Sequence, residues 1–124
     1  MIYNRGTKGS FQAWADMVDD QSWTFENLLP FFLKSSNFTP ANTELRAANA
    51  SVPLPMNGSY SATGGPVHLS YSNFALPFTS WVQKAFPEIG VPPVQDFFSG
   101  SLIGSQYASM QALNSSKMHQ GIIY

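Results

Sequence analysis

The 124-residue chain has no cysteine, so it can form neither a disulfide framework nor a thiolate metal site. Charge is scarce. Asp, Glu, Lys and Arg make up 10% of the residues, against roughly 25% in an ordinary soluble domain. Six basic residues face seven acidic ones, for a formal net charge of −1, and the cations form no run or stripe. Nucleic-acid binding needs a cationic footprint, so that class is set aside. No apolar run approaches the ~20 residues that span a bilayer, so no membrane partner is expected. The opening Met1-Ile2-Tyr3-Asn4-Arg5-Gly6 has no apolar core of the signal-peptide kind. The nine glycines nowhere fall as Gly-x-Gly-x-x-Gly, the run that lets a backbone approach a pyrophosphate. Gly64-Gly65 and the pair Gly100 and Gly104 have the wrong spacing. No Gly-x-Ser-x-Gly elbow occurs. The two histidines, His68 and His119, lie far apart, so no metal site is expected, and His68 reads as an exposed strand residue. Asp16, Asp19 and Asp20 read as solvated charges at the end of a surface helix.

Aromatic residues, by contrast, are abundant: 15% of the chain, with ten Phe and three Trp. So much ring surface argues for a folded chain rather than a solvated tail, and part of it suits a neighbouring domain. Four Asn-x-Ser/Thr tripeptides occur, at Asn37, Asn49, Asn57 and Asn114. Each alone is a weak signal, but together they point to a secreted, glycosylated parent.

The periodicity predicts a first helix over residues 11–18, with Phe11, Trp14, Ala15 and Val18 on one face and Ser10 as N-cap. A second helix is predicted over residues 25–34, with Phe25, Leu28, Leu29 and Phe32 inward, Thr24 as N-cap and Pro30 inside. Residues 35–65 are rich in Ser, Asn, Thr, Pro and Gly and read as a long surface segment. After Gly64-Gly65-Pro66, alternation of Val67, Leu69 and Tyr71 predicts a strand. Asn73 is a candidate cap for a third helix, with Pro77 in its first turns and Phe78, Trp81, Val82 and Ala85 as its apolar face. Residues 96–104 are turn-like, and residues 106–113 are read as a strand. The fold class is therefore α+β.

Several blocks carry a resemblance. Tyr3-x-Arg5-Gly6 followed by Trp14, then Trp23-Thr24-Phe25-x-x-Leu28-Leu29-Pro30-Phe31-Phe32-x-Lys34, then Gly64-Gly65-Pro66-Val67-x-Leu69-Ser70, occur in that order. So do Phe78-x-x-Trp81 with Ala85-Phe86-Pro87-Glu88-Ile89-Gly90, and Asp96-Phe97-Phe98-Ser99-Gly100 with Gly104-Ser105-Gln106-Tyr107. Over residues 1–113 the chain resembles secreted fungal members of the glucose–methanol–choline (GMC) family of FAD-dependent oxidoreductases. It departs from the family pattern at Ser10, Phe11 and Gln12, where Asp, Tyr and Asp are usual, and in residues 114–124.

The resemblance implies an internal fragment of a larger FAD-binding fold. Residues 1–35 would belong to the FAD-binding domain as flavin-lid loop and helices, residues 36–65 would connect, and residues 66–124 would begin the substrate domain. It implies FAD in the complete parent, small alcohols or sugars as substrates, oxidation of a CH–OH group with hydride passing to flavin, and an extracellular location. Met1 and Ile2 would lie near the isoalloxazine ring, with Tyr3 and Arg5 bracing that loop; core packing and a surface ion pair are the alternative roles of Tyr3 and Arg5. These four are the candidate cofactor-binding residues. No catalytic residue and no tight FAD binding are expected of the chain alone. The rival readings are a non-catalytic secreted glycoprotein or a carbohydrate-binding module using Trp23, Phe97, Phe98 and Tyr107, and a non-functional truncated product.

Overall fold

In the computed structural model the described residues are 2–111, and they form three helices against a small mixed sheet. Strand β1 is Ile2–Tyr3. Helix α1, Lys8–Val18, starts a turn earlier than the hydrophobic period predicts. The reason is its cap. Thr7, not Ser10, lies in extended backbone, and its Oγ1 accepts from the Ser10 N–H at 3.0 Å. Helix α2, Phe25–Ser35, keeps its predicted span and holds Pro30 inside it. Thr24 stands at its N-cap position, but its hydroxyl donates backward to the Gln21 carbonyl at 3.1 Å and caps nothing.

Strand β2, Ser36–Thr39, follows α2 without a loop and falls within the stretch expected to be surface segment. It pairs in parallel with β3, Val67–Tyr71, and Phe38 opposite Leu69 is what makes it a strand. The segment between them is not all surface: Ala41, Arg46, Ala50 and Ser59 are buried. Helix α3, Pro77–Ala85, opens on its proline, with Leu76 at the N-cap. Asn73 caps no helix; its side-chain oxygen accepts from the Asn42 N–H at 2.9 Å. Strand β4, Ser109–Gln111, is shorter than the expected 106–113, of which 112 and 113 lie outside the described residues. It runs antiparallel to both β3 and β1, and the sheet order is β1-β4-β3-β2.

The core is aromatic. Phe38, Ala41, Leu69, Tyr71 and Phe98 form one buried cluster. The Phe38 ring meets Tyr60, Tyr71 and Phe98 at centroid distances of 5.2, 5.8 and 5.8 Å, all edge to face. A second group, Phe11, Phe25 and Phe32, clamps α1 on α2 at 5.8 to 6.2 Å. The α2 face points inward as its period predicts. The faces of α1 and α3 do not. In α1 only Ala15 is buried while Trp14 is 55% exposed, and in α3 only Ser80 is buried while Phe78 and Trp81 are 73% and 66% exposed.

Phe38→Ala is expected to cost about 3–5 kcal/mol, enough to abolish a cooperative urea transition of a small core followed by tryptophan fluorescence. Tyr71 supplies a pH test. Burial first, and the Asp96 carboxylate second, push its phenol up to about 12. A folded pKa above the ordinary value means stability intact below about pH 10 and lost as pH climbs towards 12. Unfolding midpoints across that window should fall in the native chain and fall less in Tyr71→Phe.

Candidate functional site

Strand β1 delivers Tyr3 and, two residues on, Arg5 to the middle of the molecule. Arg5 is 4% exposed and has no carboxylate partner among the described residues. Its Nη1 donates to the Ser59 carbonyl at 2.6 Å and the Phe98 carbonyl at 3.1 Å. Its Nε reaches the Tyr3 hydroxyl at 3.3 Å, and its backbone N–H donates to the Phe97 carbonyl at 3.1 Å. Three rings surround the guanidinium carbon: Phe32 at 5.2 Å, Phe98 at 5.5 Å and Tyr3 at 6.0 Å. Carbonyl dipoles and ring faces thus replace a counter-ion. The surface ion pair considered for Arg5 is corrected by this burial.

The Ser59 loop is also held by a buried anion. Asp96 is 1% exposed. Its Oδ1 accepts from the Phe98 and Ser99 N–H groups at 2.8 Å each, and its Oδ2 from the Met56 N–H and, at 3.2 Å, the Ser59 hydroxyl. Burial alone would raise its pKa, but the N–H groups of Met56, Phe98 and Ser99 outweigh it and hold the carboxyl below the ordinary carboxylate value. Arg5 and Asp96 therefore grip the same two segments, around Ser59 and around Phe98, from opposite electrical signs. Sequence reasoning read residues 96–104 only as turn-like. The usable signal was an Asp two and three residues before backbone N–H groups it could accept from, the pattern of an Asx turn.

A second buried cation went unpredicted. Arg46 is 7% exposed, donates through Nε to the Ala50 carbonyl at 2.7 Å and through Nη1 to the Ser72 carbonyl, and lies 4.8 Å over the Tyr107 ring. Burial lowers its pKa. It fixes the 46–50 turn to the end of β3.

Among the candidate cofactor residues, Met1 lies outside the described residues, as do Asn114 and His119. Ile2 is 62% exposed, whereas Tyr3 packs on Phe98 at 5.7 Å. Gly64 and Gly65 do not form a phosphate cradle. A Cβ on Gly64 would stand 1.9 Å from the Ser36 carbonyl oxygen and 2.4 Å from that of Leu33, and one on Gly65 would stand 2.5 Å from that of Lys34. These glycines are pressed against the carbonyl end of α2, where the helix dipole repels anions. They also floor an open groove of about 600 Å³ lined by Pro30, Phe31, Lys34 and Thr63. The residues here therefore do not fit a dinucleotide by themselves. The proposed sugar-binding rings do not share a platform either: Phe98 is 1% exposed, Tyr107 packs on the core, and Trp23 lies tilted against Trp14 at 5.9 Å. His68 is exposed on β3, and no cluster of metal-ligating side chains exists among the described residues. None of the described helices is long and apolar enough to cross a membrane.

No protein-family profile matches the chain. Individual proteins do. Patulin synthase of Aspergillus clavatus is 46% identical over 123 residues, covering 97% of this chain and 19% of that protein. The glucose-methanol-choline family oxidoreductase mfmG of Annulohypoxylon moriforme is 38% identical over 108 residues, covering 86% and 17%. Among solved structures, an FAD-dependent oxidoreductase from Chaetomium thermophilum superposes with a TM-score of 0.78 at 34% identity, over 94% of this chain and 19% of that one. Pyridoxine 4-oxidase from Mesorbium loti superposes with a TM-score of 0.69 at 26% identity, over 90% and 19%. The chain thus spans about a fifth of the length of the relatives it matches.

Asp96→Asn is expected to cost about 1.5–3 kcal/mol at neutral pH, through weakened bonds to a charged acceptor. It should also flatten the acid limb. With a depressed folded pKa, the carboxylate's contribution is present above the unfolded value of about 3.9 and is lost as pH falls through the folded one. Acid unfolding followed by fluorescence checks both. Arg5→Lys should cost about 2 kcal/mol, because a single ammonium cannot serve two carbonyls and three rings at once.

Proposed function

We propose that this segment of GMC-type, FAD-dependent oxidoreductase sequence is the structural wall behind the flavin in an enzyme that oxidises CH–OH donors. The observation that carries the reading is the split along residues 2–5: Ile2 is exposed while Tyr3 and Arg5 are anchored inward. Residues 1–35 would then belong to the FAD-binding domain, residues 36–65 would connect, and residues 66–124 would begin the substrate domain. Met1 and Ile2 would be the residues near the isoalloxazine ring, held in place by Tyr3 and Arg5 from behind.

Bound FAD supplies a hydride acceptor in such enzymes. The part proposed for the side chains of this segment is to supply position from behind the flavin. Alcohols or sugars are the proposed substrates. The four sequons support a secreted, glycosylated parent.

The exposed rings favour a second, compatible statement: the chain alone is an incomplete body. Trp14, Met17, Phe78, Trp81 and Ile103 are more than half exposed, far more apolar surface than a solitary domain carries comfortably.

The deciding experiment compares this chain with the same chain extended by its flanking coding sequence. The extended protein should purify with flavin absorbance and reduce it on adding alcohols, whereas the 124-residue chain should purify colourless and self-associate in sedimentation velocity. A yellow, active, monomeric short chain would overturn the reading. In the extended protein, Arg5→Lys should weaken flavin retention while leaving the substrate preference unchanged.

A further inference from the structure

We propose that Asn57 carries an N-linked oligosaccharide and that the transfer precedes folding. The proposal rests on the secretory reading above, and three observations about the Met56–Ser59 turn carry it.

First, Asn57 stands at an open tip. The Ser59 N–H donates to the Met56 carbonyl at 2.9 Å and closes the turn, and Gly58 takes φ +82°. Only a residue tolerant of the left-handed region suits that position. No atom lies within 4 Å of where a Cβ on Gly58 would be. Asn57 is exposed, and its side chain makes no hydrogen bond among the described residues. A glycan there would leave every contact of the fold intact.

Second, the other described sequons lack this freedom. The Nδ2 of Asn49, the atom that would carry the sugar, donates to the Ser80 hydroxyl at 3.1 Å and ties the 46–50 turn to α3. Asn37 is half-buried within β2, in register with His68.

Third, the hydroxyl that completes the Asn57 sequon is locked away. Ser59 is 4% exposed, and its one hydroxyl proton is shared between the Met56 carbonyl at 2.8 Å and Asp96 at 3.2 Å. A transferase must engage that hydroxyl together with the asparagine. The folded chain offers one and hides the other, so the sequon is readable only before the Asp96 clamp closes. In the transfer, Nδ2 loses a proton and bonds to the anomeric carbon of a lipid-pyrophosphate-linked oligosaccharide. The bond from that carbon to the pyrophosphate oxygen breaks, and lipid pyrophosphate leaves with the electron pair.

The test translates the full chain, preceded by a cleavable signal sequence, in the presence of microsomes, and counts steps in mobility that an endoglycosidase removes. Asn57→Gln should remove one step. Ser59→Ala should remove the same step and also lower the urea midpoint, whereas Asn57→Gln should leave the midpoint unchanged. A second arm offers purified transferase and lipid-linked oligosaccharide to unglycosylated chain, folded or held in urea and rapidly diluted. Modification at Asn57 should be found by peptide mapping in the unfolded sample and be lost in the folded one. An unchanged step count in Asn57→Gln overturns the site, and equal modification of both samples overturns the timing. Because the assay supplies the secretory lumen itself, either failure is separate from failure of the flavoenzyme reading.

Discussion

A positive charge buried without a negative one organises this molecule. Arg5 commits its guanidinium to two carbonyls and three rings, and through them it joins three parts of the molecule. Phe32 belongs to the aromatic clamp of the helices, Phe98 to the core under the sheet, and Ser59 to the long connection. Burying a cation in this way is favourable only if its donors find acceptors, since an unpaired buried charge costs several kcal/mol. The arrangement is therefore all or none: the loop around Ser59 and the turn around Phe98 must both be in place for the arginine to be accommodated.

Asp96 makes that condition easier to meet. It holds the same two segments by accepting four hydrogen bonds, so the carbonyls that Arg5 needs are presented by a rigid pair of turns. The two ions share neighbours rather than contact. Ser59 is the neighbour they share, its carbonyl accepting from Arg5 and its hydroxyl reaching Asp96. This arrangement also explains why a chain with so few charges keeps some of them inside. The exposed Lys8–Glu26 pair at 2.9 Å adds little by comparison.

Much of the helical architecture was legible in the sequence because it is local. Phe25, Leu28, Leu29 and Phe32 recur at helical spacing and do face inward, and the β3 alternation became a strand as expected. What was not legible depended on distant partners. Ser36–Thr39 is too short and too polar to read as a strand, and it becomes one only against Val67–Ser70. Arg5 and Arg46 show no pattern along the chain, because they reach partners 54 and 26 residues away, and the local Asx turn of Asp96 gives no hint of Met56, 40 residues back. The outward rings of α1 and α3 were misread for another reason. Their periodicity is genuine, but among the described residues it leaves Trp14, Phe78 and Trp81 outward and only Ala15 and Ser80 buried on these helices. Candidate cofactor residues came from resemblance alone, and the geometry adds which of them are bound up in packing.

The outer strand of the sheet sets a timetable. Ile2 pairs with Met110 and Tyr3 with Ser109, so this strand bonds to residues synthesised 106 positions after it. Ribosomes add roughly 5–20 residues per second, so β1 waits on the order of ten seconds for β4 to appear. During that interval Arg5 has neither Phe98 nor the ordered Ser59 turn to receive it. The sheet therefore cannot assemble progressively in sequence order. Loop closure over so long a stretch comes late and makes the final collapse slow and concerted. A growing chain of this kind stays open to whatever enzymes or chaperones meet it on the way out.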